Sequence, residues 1–407
     1  MPHITEPARE IPVAAEYDVL VCGAGPAGVA AALAAARAGA RTGLVEVHGC
    51  LGGIWTAGLL AYFLDVNNKP GIMAELIAEL EKRGARAHDS QGRPTCAFDV
   101  EEVKILLEER CQAAGVDIRL HTRLVAARVA DGRLTHAIVE DKSGRRALAA
   151  RAFVDCTGDG DLAARAGCGF DFGHPETGAT QPFSLIALVG GIRKSEVRPF
   201  FREGDDTWAE PKERLRERMA AGGCDPSYGR PSLFPVREDF FILMSNHEYQ
   251  FKGIRAEDLT AATLKARREL NDQINGLRAQ GGVWQGIRLL ATAEQIGVRE
   301  GRRIHGRHTV TIDEMVAGVR HPDAVCRVHF GIDVHSTNPK AHKGIEATGH
   351  RTQPYDIPLR ALIAKDIEGL LMAGRCISGD FLAHSSYRVT GNAVAMGEAA
   401  GRHAAAL

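Results

Sequence analysis

Hydrophobic and polar positions follow different rules in different parts of this chain. An unbroken apolar run, Val19-Leu20-Val21-Cys22, reads as a buried strand, and the alanine-rich segment continuing to about Gly39 reads as a helix. A second apolar run, Thr42-Gly43-Leu44-Val45, closes on Glu46. Together they predict a βαβ unit. Helical spacing recurs from about Gly71 to Arg83. It recurs again after Asp99, where Asp99 and Glu102 have capping-box spacing ahead of Val103, Leu106, Leu107 and Cys111. From Val116 to Val154 the pattern becomes alternating strands: Asp117–His121, Leu124–Val129, Leu134–Glu140 and Ala147–Val154, with Asp131-Gly132 and Ser143-Gly144 as hairpin turns. A short helix is expected from Leu162 to Gly167.

The character changes at about Cys168. Gln181–Gly190 and Ser232–Ser245 read as strands, and Glu210–Met219 reads as a charged helix. A longer helix over Asp258–Gln280 places Leu270, Ile274 and Leu277 on one face. The polar stretch Ser336–Pro354 reads as a loop beside a cavity. The last sixty residues return to the opening style, with a short buried strand at Leu370-Leu371-Met372 and an alanine-rich terminal helix opened by Val389 to Ala393. The expected organisation is an arm over 1–16, an α/β nucleotide-binding part over 17–170, an inserted α+β domain over 171–349, and a return to the first domain over 350–407.

Composition narrows the function classes. The 407 residues are 45% hydrophobic and 25% charged, as in ordinary soluble proteins. A net charge of −1, with six Tyr and three Trp, offers neither a basic field nor many stacking platforms, so nucleic acid is not an expected partner. Met1 to Ala15 carries acids and prolines where a signal peptide needs an apolar core, and Arg37 and Arg41 interrupt the one apolar helix, so no membrane insertion is expected. Nine scattered cysteines without a CxxC pair suggest thiols in a reducing cytoplasm and no metal site.

The candidate chemistry centres on Gly23-Ala24-Gly25-Pro26-Ala27-Gly28, between the first strand and its helix. Gly23 permits the tight turn, Gly25 lets the backbone approach a pyrophosphate, and Gly28 lets helix and strand pack closely. The helix N-terminus presents N–H groups and a positive dipole end to the phosphates. Glu46 follows Gly28 by roughly 20 residues, where a carboxylate accepts both hydroxyls of an adenosine ribose. Only one full GxGxxG is present, which disfavours an enzyme binding two dinucleotides. Glycine-bearing segments recur at 52–58, 157–160 and 374–391. One long extended ligand touched by all four fits FAD better than NAD.

On these residues the chain resembles the FAD-dependent oxidoreductases of the glutathione-reductase-type superfamily, with fumarate-reductase and succinate-dehydrogenase flavoproteins as distant relatives. The resemblance is carried by Glu16 through Gly28, Glu46 with Leu51-Gly52-Gly53, and Val154 through Asp161. It continues in Gly297 through Ile304, in Asp333-Val334-His335, and from Ala373 to Gly401. It implies a Rossmann-like FAD-binding domain with a three-layer ββα sheet and β-meander, plus the inserted domain as a substrate cap. It also implies a set of contacts to FAD. Gly23, Ala24, Gly25, Pro26, Ala27 and Gly28 would hold the pyrophosphate, and Glu46 and Val47 the adenosine ribose. Gly53, Thr56 and Gly58 would lie along the ribityl and flavin, and Val125 would face the adenine. Thr157 and Gly158 would pass beside the dinucleotide, and Asp380 would bind ribityl or phosphate. Val389, Thr390, Asn392 and Ala393 would present a helix N-terminus to the flavin, although Gly391-Asn392 departs from the Pro-Thr sometimes found there. His48 raises covalent flavin attachment, against which its spacing to Gly52 speaks.

For catalysis, Arg299, Arg302 and Arg303 form a tight cationic cluster that suits a substrate carboxylate or proton delivery, or else ion pairs with Glu300 and Asp333 that fasten the inserted domain. His335 suits an acid or base, or a satisfied structural histidine. Tyr355 and His384 are weaker candidates. The leading expectation is a dehydrogenase or reductase transferring hydride between flavin N5 and a small organic substrate, such as a carboxylate. The alternatives are a flavin monooxygenase or oxidase using O2, and a non-catalytic FAD-holding electron-transfer module. The sequence does not name the substrate, the separate electron donor or acceptor, or whether the chain forms a homo-oligomer.

Overall fold

Seven strands form the main sheet of the computed structural model, which describes residues 3–407. Five of them run parallel in the order Asp117–Arg119, Thr42–Val45, Val13–Cys22, Gly144–Asp155, Leu370–Met372. Parallel strands buried on both faces demand continuous apolar side chains, and Val19, Leu20, Val21, Phe153 and Val154 are all fully buried. The strand Gly144–Asp155 changes partner along one edge. Its first half pairs antiparallel with Arg133–Asp141, which in turn pairs with Arg123–Ala130, forming the meander. Its end pairs parallel with Leu370–Met372, while its other edge runs beside Val13–Cys22 from Ala147 to Asp155.

The helices Pro26–Arg37 and Thr390–Ala405 pack on each other and on this sheet. A Cβ on Gly397 would stand 2.0 Å from the Ala27 carbonyl oxygen, and one on Gly401 would stand 2.1 Å from that of Ala31. The two backbones therefore touch, and the far end of the chain is set directly against the first glycine turn.

A second sheet, antiparallel, has the order Ser232–Pro235, Phe240–Met244, Ala187–Gly190, Arg288–Thr292. The helices Ala209–Ala221 and Ala256–Ala279 cover it. Phe183, Leu185, Phe241, Leu270, Ile274 and Leu277 form its separate core, with the expected helix stripe inside.

Three details differ from the sequence reading. The arm expected over 1–16, whose first two residues lie outside the described residues, already becomes strand at Val13, because residues 13–16 find pairing partners in Ala147–Ala149. Asp99 caps the helix Val100–Ala113 alone, accepting the Glu101 N–H at 3.1 Å. The reciprocal capping box occurs instead at Thr311 and Glu314. The inserted core is also shorter than 171–349: it closes at Ile296, whereas Ile304, Val310, Met315, Cys326 and Val328 join the core of the main sheet. The reason is that Ala324–Val328 pairs with Tyr355–Pro358. All nine cysteines are free. Among the described residues no helix is long and apolar enough to cross a membrane.

Candidate active site: a glycine-lined trough

The first turn leaves the sheet at Gly23, whose φ is +94° and whose absent Cβ would stand 2.5 Å from the Cys156 carbonyl oxygen. Only glycine meets both conditions. A Cβ on Gly28 would lie 1.8 Å from the Gly23 carbonyl oxygen, so the helix is pressed against its own turn. Gly25 differs from both. Nothing lies within 4 Å of its absent Cβ, because that side opens into a trough of about 310 Å³. A side chain there would fill the cradle. No side chain caps the helix at Gly25, so its first-turn N–H groups are available to an anion.

Glu46 and Thr390 line this same trough. The buried Glu46 carboxylate already accepts the Ala24 N–H at 2.7 Å and the His48 N–H at 2.9 Å. These bonds fix its orientation and leave further lone pairs free for hydroxyl donors. At Thr390 the terminal helix begins without a side-chain cap, and the buried Thr390 Oγ1 has no hydrogen-bond partner. An uncapped helix start and an orphaned hydroxyl facing one cavity are what a bound polar group would satisfy. Gly53 stands against Gly25, its absent Cβ 2.8 Å from the Gly25 Cα. The residues of this cradle therefore fit an extended dinucleotide.

Of the residues expected along it, Gly23, Gly25, Pro26, Ala27, Glu46, Val47, Gly53, Thr157, Gly158, Val389, Thr390 and Ala393 all line the trough. The others have different partners. Ala24 gives its N–H to Glu46, and Gly28 serves helix packing. The Thr56 hydroxyl donates to the Leu51 carbonyl at 2.6 Å, and the Gly58 N–H donates to the Gly53 carbonyl at 3.0 Å, so both shape the turn behind Gly53. Arg123 and Leu124 line the cavity in place of Val125. Asp380 caps the helix Phe381–Tyr387 through the Ala383 N–H at 2.7 Å and holds the Ile312 N–H at 2.6 Å. It is thus a structural brace and does not line the cavity. The Asn392 side chain is buried and accepts from the Cys326 Sγ at 3.5 Å. His48 lines the trough beside Glu46, with Nδ1 3.2 Å from the Glu294 carboxylate.

The arginine cluster separates into different roles. Arg302 donates to the Asp159 carbonyl and the Asp161 carboxylate, both at 2.9 Å, and lies over the Phe170 ring. Arg303 pairs with the buried Glu300 at 2.8 Å and donates to the Gly173 carbonyl. Both guanidinium groups are taken up by these partners, Arg303 by the expected Glu300 and Arg302 by Asp161 in place of Asp333. Arg299 alone of the three lines the trough. It is buried and donates to the Pro182 carbonyl at 2.7 Å and the Ser184 hydroxyl at 2.9 Å. Among the described residues it makes no ion pair. Burial first, and then the nearby Arg388 charge, push its pKa down to about 10.

Arg388 also lines the trough and was not singled out as a site residue by the sequence. It sits just before the terminal helix and is held by Asp333, whose carboxylate it meets at 3.0 Å. His335 lies behind this pair. Its Nε2 is 3.4 Å from the Asp333 carboxylate, and its Nδ1 is 3.1 Å from the His247 Nε2. His247 in turn contacts the Tyr249 hydroxyl at 3.1 Å and stacks on Tyr228. Burial, and then the Arg299 charge, push His335 down to about 4 against the upward pull of Asp333, so the ring is neutral at neutral pH. Burial would raise Asp333, but His335, Arg388 and Arg299 hold it well below the ordinary carboxylate range. Tyr355 takes no part: its hydroxyl donates to the Ser386 Oγ at 2.9 Å inside the core. His384 is fully buried without a partner for either ring nitrogen.

No curated protein matches the chain by sequence. Solved structures with a similar course include a geranylgeranyl bacteriochlorophyll reductase-like protein from Thermoplasma acidophilum, at 13% identity and a TM-score of 0.47, covering 96% of this chain and 77% of that one. A myxobacterial chondrochloren halogenase matches at 12% identity and a TM-score of 0.48, over 93% and 72% of the two chains. A flavoprotein/dehydrogenase from Cytophaga hutchinsonii matches at 13% identity and 0.44, over 96% and 78%. At these values the likenesses carry no argument about activity. The family model for FAD dependent oxidoreductases matches residues 18–407. With Gly25 open to a trough that Glu46 and the start of the terminal helix share, the chain belongs to the FAD-dependent oxidoreductase family, and FAD is its cofactor.

Proposed function

We propose that the protein is an FAD-dependent dehydrogenase or reductase whose small substrate carries a carboxylate bound by Arg299. The observation that carries this reading is a buried cation in the trough wall with hydrogen bonds but no ion pair. A desolvated cation with no direct ion-pair contact, balanced only at longer range by Asp333, is costly, and an anionic ligand relieves that cost. When bound, the flavin supplies hydride exchange at its N5.

The chain's own residues do the rest. The Gly23–Gly28 turn and the helix start at Pro26 hold the pyrophosphate, and Glu46 takes the ribose hydroxyls. The uncapped start of the terminal helix at Thr390 offers N–H groups and the positive dipole end to negative charge in the trough. The Ser184 hydroxyl fixes the Arg299 guanidinium, so a planar carboxylate meets a preset fork. Asp333 locks Arg388 beside it, and the neutral His335 ring, hydrogen-bonded to His247, packs behind this pair and holds it in place. The nine free thiols support a reducing compartment such as the cytoplasm.

The test is anaerobic mixing of the yellow holoenzyme with metabolites, following loss of flavin absorbance. Carboxylates should reduce it, and their amides should not. Arg299→Ala should keep its flavin while weakening substrate binding by about 2–5 kcal/mol, with Arg299→Lys recovering part of it. Reoxidation by quinones or dyes should outpace reoxidation by O2. Reduction of Arg299→Ala at wild-type substrate concentrations would overturn the assignment.

A further inference from the structure

Away from the trough, three side chains converge that the functional reading leaves unused. His308, Glu314 and His321 place two imidazole nitrogens and one carboxylate oxygen within 4.8 Å of one another. They stand six and seven positions apart in sequence, outside any familiar metal-ligand spacing, which is why the sequence pattern alone pointed to no metal. The fold brings them together. Glu314 lies on the short helix Ile312–Ala317, and its Oε2 is held by the Thr311 N–H at 3.2 Å in the capping box. This leaves Oε1 facing both rings, 2.8 Å from the His308 Nε2 and 3.5 Å from the His321 Nε2.

Those short distances are not hydrogen bonds. Both Nε2 atoms are buried and, among the described residues, have no hydrogen-bond partner. The His321 side chain is only 10% exposed, so water does not readily make good the loss, and a buried unpartnered nitrogen is costly. The two rings meet edge to face, their centroids 5.0 Å apart. Ligand atoms bound to zinc at 2.0–2.2 Å in tetrahedral geometry stand about 3.4 Å from each other. The observed separations bracket that value.

We infer that His308 Nε2, His321 Nε2 and Glu314 Oε1 form a site for a borderline divalent transition metal of the Zn2+ class, completed by water. Two imidazoles and one carboxylate exclude Mg2+ and Ca2+, which take all-oxygen shells. The site stands apart from the trough, so its ion acts on the local chain and not on the flavin. All three ligands lie within residues 308–321, so the ion closes this segment on itself and holds the stretch whose Ile312 N–H rests on Asp380.

The experiment uses untagged holoenzyme, dialysed against chelator and then titrated with ZnCl2 or CoCl2. Metal analysis should find one tightly held ion per chain, Co2+ should develop the strong visible bands of a low-symmetry site, and the melting temperature should rise by a few degrees with Zn2+. The double variant His308→Ala/His321→Ala should lose the ion, the Co2+ bands and the thermal shift. Glu314→Gln, which keeps an acceptor for the Thr311 N–H, should bind more weakly. Retained flavin absorbance serves as the fold check. Should the double variant lose its flavin, His321→Gln replaces it with the same expected loss of metal. Uptake that is undetectable in the wild type, or unchanged in the variant that keeps its flavin, would overturn the site.

Discussion

Two alanine substitutions three residues apart should have opposite consequences. Gly25 has φ −66° and ψ −174°, a conformation open to any residue, and empty space where a Cβ would go. Gly25→Ala should therefore fold normally, with the cofactor-free protein unchanged or stabilised by about 0.4–1 kcal/mol through reduced unfolded-state entropy. The new methyl occupies the cradle, however, and moves a phosphate away from the helix N-terminus. Losing one N–H bond to a charged oxygen costs about 1.5–3 kcal/mol, or roughly ten- to a hundredfold in FAD affinity. Gly28→Ala drives its methyl to 1.8 Å from a main-chain oxygen that cannot rotate aside. That overpacking should cost about 1–3 kcal/mol or more of folding stability. Urea unfolding of the cofactor-free proteins and fluorescence titration with FAD separate the two effects. If Gly25→Ala is folded and binds FAD as tightly as the parent, the pyrophosphate does not lie at Gly25, and the trough has been read in the wrong register.

Acid should weaken the fold through His335. Its folded pKa of about 4 lies below the ordinary 6.5, so the unfolded chain takes the proton first and stability falls as pH drops through that window. The span corresponds to about 3 kcal/mol. Urea midpoints from pH 4 to 7 should show a shallower acid slope in His335→Gln than in the parent, and parallel slopes would contradict the assignment. Asp380→Ala removes a helix cap and the acceptor of the Ile312 N–H, and should cost about 2 kcal/mol of stability with FAD affinity unchanged. A variant of normal stability with lost FAD would return Asp380 to the cofactor. Gly401→Val must push the terminal helix off Ala31, costing about 1–3 kcal/mol and lowering the flavin content of purified protein. Full flavin occupancy at unchanged melting temperature would contradict the close packing.

The legible parts of the site were those set by close backbone packing. Gly23 and Gly28 announce themselves because the turn packs on the Cys156 backbone and on itself, Gly25 because it completes their spacing, and Glu46 is set by the length of one βαβ unit. Side-chain roles were harder, because they depend on partners remote in sequence. Arg299, Arg302 and Arg303 look equivalent in a string, and only the tertiary placement of Asp161, Glu300 and Ser184 separates the two fasteners from the free cation. Asp380 looked like a ligand for sugar or phosphate, whereas a helix start and Ile312 claim both its oxygens. The His335 to His247 contact joins residues 88 positions apart, and His247 follows a strand with no periodic sign of its own. The fold was legible for a related reason: period-2 and period-3.6 patterns are local, while the early closure of the inserted core is decided by the pairing of Ala324–Val328 with Tyr355–Pro358.

The contact between Gly397 and Ala27 joins elements made at opposite times during synthesis. As the chain is translated, the glycine turn emerges first of the two, and it remains a half-built receptor until residues 390–405 follow hundreds of codons later. Flavin capture should therefore wait until the terminal helix is made. A ribosome stalled before the final helix would carry a nascent chain able to form most of its sheet yet unable to retain its pigment.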